Sequence, residues 1–305
     1  MITSVFNKSK PVNFLIVLTF VLLIIAISNY NSLFNGFDNT LIVLFKILVI
    51  VFKIFLFDFI VGKNNLTKRN SFAILAFGIL ISFFPTIFNN IDLLLSNLFI
   101  ILALRRIISL GSKKNIKKKL FDASFWIAMA TLFYFWAILF FAIIIVGLIY
   151  YSQNDIKNVI IPLIGVITVL ILLVAYNILI QDKFFGSSNF EITASLDFTP
   201  YNKKATVFKL TILITSFLWT IVYYFKSIAD KNNKLKPSYF LIAWTSIISI
   251  LIALIAPVKN GSEFIFLFAP LSIILANYIE VISERWFKEI FVGILLLTPV
   301  LGLFL

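Results

Sequence analysis

The chain has 305 residues, 61% of them apolar and 13% charged, with a net charge of +13 and a mean hydropathy of +1.07. Soluble domains run near 45–50% apolar and about 25% charged, and so large an excess cannot be hidden in one globule whose surface must face water; a soluble enzyme and a disordered chain are both excluded. The absence of Cys and His removes disulfides, thiolate chemistry, imidazole bases and the usual zinc, haem and non-haem iron ligand sets.

What remains is an all-α integral membrane helical bundle forming one polytopic domain, residues 1–305. A hydrocarbon core about 30 Å thick takes roughly 20 apolar residues per crossing, which gives about ten spans, within a range of about nine to eleven. They fall at 12–30, 39–61, 71–88, 91–108, 123–150, 158–180, 205–226, 237–256, 263–282 and 287–305. The short alternating segments of a membrane barrel do not occur, and backbone satisfaction in lipid then leaves helices.

The first run follows Lys8, Lys10 and Pro11 and ends in Ser28-Asn29-Tyr30-Asn31. That ending lacks a small-residue cleavage site, so the run reads as a retained helix that doubles as the targeting signal. The second span holds Lys46, Lys53 and Asp58. An ionisable residue at the centre of a span costs at least about 2.5–3.5 kcal/mol, which makes each a candidate binding residue. Lys46 and Lys53 are seven apart and share a helix face. Lys53 and Asp58 lie about 140° apart round the helix, which makes pairing awkward. Against a polar path stands snorkelling, of Lys46 outward and of Lys53 toward an interfacial Asp58.

Two carboxylates of the outer loops, Asp38 and Asp92, are the candidate catalytic residues. A carboxylate there could bind a divalent cation or take a proton from an acceptor hydroxyl. Both also sit where helices begin, at Asp38-Asn39-Thr40 and Asn90-Ile91-Asp92, so capping competes with chemistry.

The 105–119 segment carries seven basic residues: Arg105, Arg106, Lys113, Lys114, Lys117, Lys118 and Lys119. By the positive-inside rule this sets the N-terminus and that loop in the cytoplasm. If 123–150 crosses once, inside loops hold 16 basic residues and outside loops 7, with both termini cytoplasmic. If 121–151 turns back on itself, the division becomes 19 against 4. A tilted helix and a re-entrant pair both fit its length; ten single crossings are the working expectation. The basic excess is topology and attraction to anionic headgroups rather than nucleic-acid binding, which would need a soluble basic domain. Docking of a lipid-linked phosphate, or of a membrane or cytoplasmic protein, by Arg105-Arg106 and the lysines after them is the functional alternative.

Further along, Lys209 opens the seventh span and is expected to snorkel, and the stretch from Phe190 to Phe198 alternates enough for an interfacial strand or short amphipathic piece. Lys259 and Glu263 flank the turn before the ninth span and are candidate binding residues. Glu280, Glu284, Arg285, Lys288 and Glu289 are spaced for surface pairs, each worth a few tenths of a kcal/mol. Trp126, Trp136, Trp219, Trp244 and Trp286 read as an interfacial belt. Walker, dinucleotide and nucleophile-elbow motifs are missing from the sequence.

The runs Leu102 to Leu110, Lys119 to Ala128 and Asn260-Gly261-Ser262-Glu263, the last leading to Phe268-Ala269-Pro270 and Ala276-Asn277-Tyr278, resemble an uncharacterised family of polytopic inner-membrane proteins from Bacteroidota. The resemblance implies a location in the bacterial inner membrane and no established activity. A carotenoid-oxygenase label carried by some members conflicts with the composition, because that chemistry holds iron with histidines. A second, distant similarity is to the glycosyltransferases of the C superfamily, which use lipid-linked sugars. Asp38 in the first outer loop, and Lys259, Glu263-Phe264 and Pro270 late in the chain, are similar in layout. The first outer loop is shorter than the superfamily's, and the charged turn lacks its Arg-Tyr pair.

These observations give an expected role in cell-envelope glycan or lipid-linked sugar metabolism, with no cofactor beyond a possible divalent cation and with a polyprenyl-linked substrate. The alternatives are a non-catalytic subunit that docks partners through 105–119, and a small-solute transporter using Lys46, Lys53 and Asp58.

Overall fold

The computed structural model describes residues 2–30, 37–151, 155–182, 184 and 193–305. Its helices in chain order are α1 (Ile2–Phe6), α2 (Pro11–Ser28), α3 (Phe37–Lys63), α4 (Phe72–Ile81), α5 (Ile91–Ile108), α6 (Ile116–Phe133), α7 (Phe141–Tyr150), α8 (Ile156–Gln181), α9 (Lys204–Ala229), α10 (Lys236–Ile255), α11 (Ile265–Val281) and α12 (Arg285–Phe304). Short 3₁₀ turns at Pro85–Asn89, Ser109–Ser112, Phe135–Phe140, Thr199–Tyr201 and Ser262–Phe264 join them. Local chemistry sets several boundaries. Pro11 occupies the first turn of α2, where its missing N–H costs nothing. The Asn90 side chain accepts from Leu93 N at 3.0 Å to cap α5, and Asp155 accepts from Lys157 N at 3.0 Å to cap α8. The segment 193–198 has no regular structure, and residues 190–192 of the expected amphipathic piece lie outside the described residues.

The loops sort to two ends. At one end Thr3 donates to Glu289, Asn13 to Ser71, Lys68 N and Asn70 to Glu280, Asn277 to Leu66 O, and Tyr239 to Asn65 O. At the other end Thr86 donates to Asn260 O, Trp136 to Thr193 O, and Ser195 N to Ile255 O.

This sorting decides the ambiguous stretch. Tyr134 is extended (φ −148°, ψ 106°) and ends α6 at the second end, beside Phe266. The chain then returns through Phe135–Phe140 and α7 to Tyr151, whose hydroxyl donates to Ile108 O at 3.0 Å and lies 2.9 Å from Ser238 Oγ at the first end. The expected single crossing at 123–150 is therefore replaced by a return. It carries the 226–236 loop to the same end as 105–119, giving the 19-to-4 division of basic residues between the ends. The return also separates the chain ends. α1 lies at the first end, whereas Gly302 near the end of α12 lies against Lys209 at the second.

Seven helices among the described residues are long and apolar enough to cross a membrane: Pro11–Ser28, Asp38–Lys63, Ile91–Ser112, Lys157–Ile180, Lys204–Ala229, Lys236–Ile255 and Ser262–Val281. Phe72–Ile81 and Phe135–Tyr150 are shorter apolar stretches. The expected count of about ten is not reached by that measure, for three local reasons. The 71–88 run stops being α-helical at Ser82, before Pro85 starts a 3₁₀ turn. The 123–150 run breaks at Tyr134, and α6 opens on Lys117, Lys118, Lys119 and Asp122. α12 opens on Arg285, Lys288 and Glu289.

α11 is buried on every face from Ile265 to Ile279, as is all of α4. A helix apolar all round belongs at the centre, and these two pack together as the axis of the bundle. α8 stands at the periphery, packed mainly on α6. A Cβ on Gly165 would meet Phe121 O and Phe125 N at 3.0 Å, so the α6 and α8 backbones nearly touch there, as small residues permit in lipid.

Candidate functional site

The second end, opposite the basic face, contains a cavity of about 520 Å³. Three segments build it: the start of α5 with Asn90 and Asp92, the turn Thr131 to Trp136 that reverses the chain, and the loop from Pro257 to Glu263. Trp136 donates its indole N–H to Thr193 O at 2.9 Å and so holds the 193–195 segment at the rim.

The 257–263 loop is held by its own carboxylate. Glu263 is 2% exposed. It accepts from Gly261 N at 3.1 Å, from Asn260 N at 3.3 Å and from the Tyr201 hydroxyl. Burial raises the Tyr201 pKa, and the Glu263 hydrogen bond and charge raise it further, so the phenol keeps the proton it donates. Asn260 completes the turn by accepting from Ser262 N at 3.0 Å. Gly261 has φ +92°, and a Cβ there would lie 2.1 Å from Phe84 Cδ1, so both conformation and space require glycine.

Lys259 is buried just behind this loop. Its ammonium donates to Ala253 O at 2.7 Å and Leu254 O at 2.6 Å, and lies 5.0 Å from the Phe198 ring centre. These carbonyls are among the last of α10, which lack intrahelical donors, so the lysine caps that helix end. Burial lowers its pKa, and the Glu263 charge offsets part of that shift.

Asn90, Asp92, Thr193 and Asn260 are the exposed polar residues of this lining. Asp92 is exposed at the cavity mouth, in the first turn of α5. The Tyr134 hydroxyl is buried in the cavity wall without a hydrogen-bond partner, an arrangement rare enough in folded proteins to call for an explanation. Among the described lining residues the ionisable acids are Asp92 and Glu263, and none is Lys or Arg. The cavity is thus acidic, aromatic on one side and amide-lined on the other. It suits hydroxyl groups or a cation and opposes an anion.

Of the residues singled out in the sequence, Asp92 and Glu263 meet at this cavity, with Lys259 behind it. Asp38 is exposed in the first turn of α3 and is not part of the lining. Lys46 is half-buried and Asp58 exposed on the bundle surface. Lys53 is fully buried with its amine unpaired, so it does not snorkel toward Asp58. None of the three lines a described cavity. Arg105 and Arg106 lie at the basic end. Arg106 pairs with Asp122 at 2.9 Å, and the Arg105 guanidinium lies 4.9 Å from the Phe59 ring centre. Lys209 is buried against Gly302. Tyr134, Trp136 and Tyr201 were not singled out for a site. The signal that could have found the first two is Tyr134-Phe135-Trp136, three bulky aromatics in the middle of an apolar run too long for one helix; no comparable signal marks Tyr201. Among the described residues no group of three or more His, Cys, Asp or Glu could hold a metal ion.

Comparison with known proteins adds membership and no activity. No curated protein and no solved structure matches this chain. The model of a family of unknown function, DUF6427, matches residues 1–304, and the chain belongs to that family.

Proposed function

We propose that this chain is a protein of the bacterial inner membrane and cell envelope that handles a lipid-linked glycan, with the sugar held in the cavity at the outer end. The observation that carries this reading is the cavity itself. Its lining of Asn90, Asp92, Tyr134, Trp136 and Asn260 offers amide and carboxylate partners beside aromatic faces, a set that matches a hydroxyl-rich headgroup. Asp92, exposed at the mouth, is the carboxylate placed to accept a proton from a sugar hydroxyl. The role expected of Asp38 thereby passes to Asp92. Among the described residues a phosphate has no cationic partner in this lining, because Lys259 is engaged by the end of α10. The 19-to-4 division of basic residues supports a cytoplasmic basic end, with the N-terminus on that side.

The test is the lipid-linked sugar pool of a deletion strain. Deletion should alter the pool; the wild type and Asp38→Asn should restore it, and Asp92→Asn at equal abundance should not. A normal pool in the deletion strain overturns the reading.

One observation favours a second reading, a subunit that docks partners through the basic loop. Lys113, Lys114, Lys117 and Lys118 are exposed, unlike the engaged Arg106 and Lys119. Changing these four lysines to Ser should abolish partner recovery while leaving the sugar pool intact. Unchanged recovery removes this alternative.

A further inference from the structure

A groove of about 420 Å³ runs between α9, α10 and α11, on the far side of Tyr201 from the cavity. Its floor is formed by Leu213 and Leu267, both buried, and its open rim by Ile214 and Leu254, which are 49% and 45% exposed. We propose that this groove seats a hydrocarbon tail of the same amphiphile whose headgroup occupies the cavity, a proposal that rests on the reading given under Proposed function.

Three features argue for a lipid tail as the occupant. Among the described residues the groove is lined almost entirely by aliphatic and phenyl carbons, with Tyr201 as the polar group at its upper end. That hydroxyl points away from the apolar side, to Glu263 on the cavity wall. One residue therefore separates an apolar compartment from a polar one, the arrangement that an amphiphile requires. Second, the groove lies between α9 and α10, both long and apolar enough to cross a membrane, which would turn its open side toward acyl chains. A tail could enter sideways without passing through water. Third, Phe198 closes the upper end and is held under the Lys259 ammonium. Tail and headgroup regions thus share one boundary, made by Phe198, Tyr201 and the Lys259–Glu263 loop. A second copy of the chain or a partner helix would cover the rim without using this junction.

The experiment uses the full chain reconstituted in phosphatidylcholine vesicles. The probes are two lipids with the same diazirine-bearing acyl chain, one with a glucosyl headgroup and one with phosphatidylglycerol. After irradiation the labelled peptides are mapped by mass spectrometry. The glucosyl lipid should label 210–218 and 250–254 saturably. Ile214→Trp and Leu254→Trp, which fill the groove from its exposed rim, should each reduce that labelling several-fold without changing the melting temperature. Equal labelling of the groove by both lipids keeps the tail slot and removes the sugar headgroup. Labelling spread evenly over lipid-facing helices such as α8, and unchanged by both tryptophans, overturns the proposal. So does crosslinking of the rim to a second copy of the chain in place of lipid.

Discussion

Lys53→Met should stabilise this protein, by an amount that follows from its position. Lys53 lies on the buried face of α3 with Ile50, Ile54 and Phe57, is 0% exposed, and its amine has no hydrogen-bond partner. The end of α3 at Lys63 is about 15 Å away along the helix at 1.5 Å per residue, and the start is farther. A lysine side chain does not reach either, so the amine stays in the apolar interior. An unsatisfied buried polar group costs about 1–3 kcal/mol, and a lysine at the centre of a span about 2.5–3.5 kcal/mol. Methionine fills nearly the same volume with an adaptable apolar chain, and such exchanges cost under about 1.5 kcal/mol. The net expectation is a gain of about 1–2 kcal/mol. Lys53→Ala should gain less or lose, because truncation leaves a void that costs about 2–5 kcal/mol for a large side chain.

The assay is thermal unfolding of the purified protein in detergent, followed by tryptophan fluorescence and by retention of the monodisperse peak. Lys46→Met is the control; it is half-buried and should move the midpoint little. A lower midpoint for Lys53→Met, equal to or below that of Lys53→Ala, would refute the reasoning, since it would mean that the amine makes a stabilising contact. A higher midpoint with lost function would show instead that the residue is kept at a cost in stability.

The other expectations concern backbone, titration and topology. Gly261→Ala should destabilise by at least about 2 kcal/mol through its positive φ and the Phe84 ring. Gly293→Ala, with open space around its Cβ in mid-helix, should stabilise by about 0.5–1 kcal/mol; the reverse order of midpoints would contradict the geometry. Burial pushes the Tyr151 pKa up from 10.0 to about 12. A raised pKa means that stability is intact below the unfolded value and is lost as pH rises above about 10, by about 2 kcal/mol near pH 12. Tyr151→Phe should flatten that slope, and an unchanged slope would assign it to another group. A reporter fused after Leu305 should lie on the opposite side of the membrane from one fused before Met1, because the return at Tyr134 separates the ends; matching sides would restore the single crossing.

Helix positions were legible because a span needs a long apolar run, and most runs end at a charge, Asn or Pro. The break at Tyr134 was not legible from hydropathy, since every residue from Ala123 to Tyr151 is compatible with an apolar helix. Its excess length allowed it, and the charge balance pointed to it, through the four lysines of the 226–236 segment that a single crossing would leave on the wrong side. Long-range polar ties were also hidden. Glu280 and Glu289 read as members of a surface charge cluster, yet they accept from Lys68 N, Asn70 and Thr3, more than 200 residues away in sequence. Asp92 and Asp38 looked equivalent as helix-start carboxylates. Nothing in the sequence said that the reversal at Tyr134 would bring Trp136 and the 257–263 loop to Asp92 and leave Asp38 outside.

That reversal also explains why an acidic cavity can exist at this end. The few basic residues assigned there could have offered a phosphate site, but among the described residues the one beside the cavity, Lys259, closes the carbonyl end of α10. Its charge is balanced by those carbonyls and by Glu263, whose own oxygens are occupied by Tyr201 and two backbone N–H groups. Lysine and glutamate therefore frame the cavity, and Asp92 is the carboxylate left exposed at its mouth. Binding at this site should then be insensitive to salt for an uncharged glycan headgroup, since screening acts on charge pairs, whereas binding of phosphate-bearing lipids should centre on the basic end and weaken as salt rises.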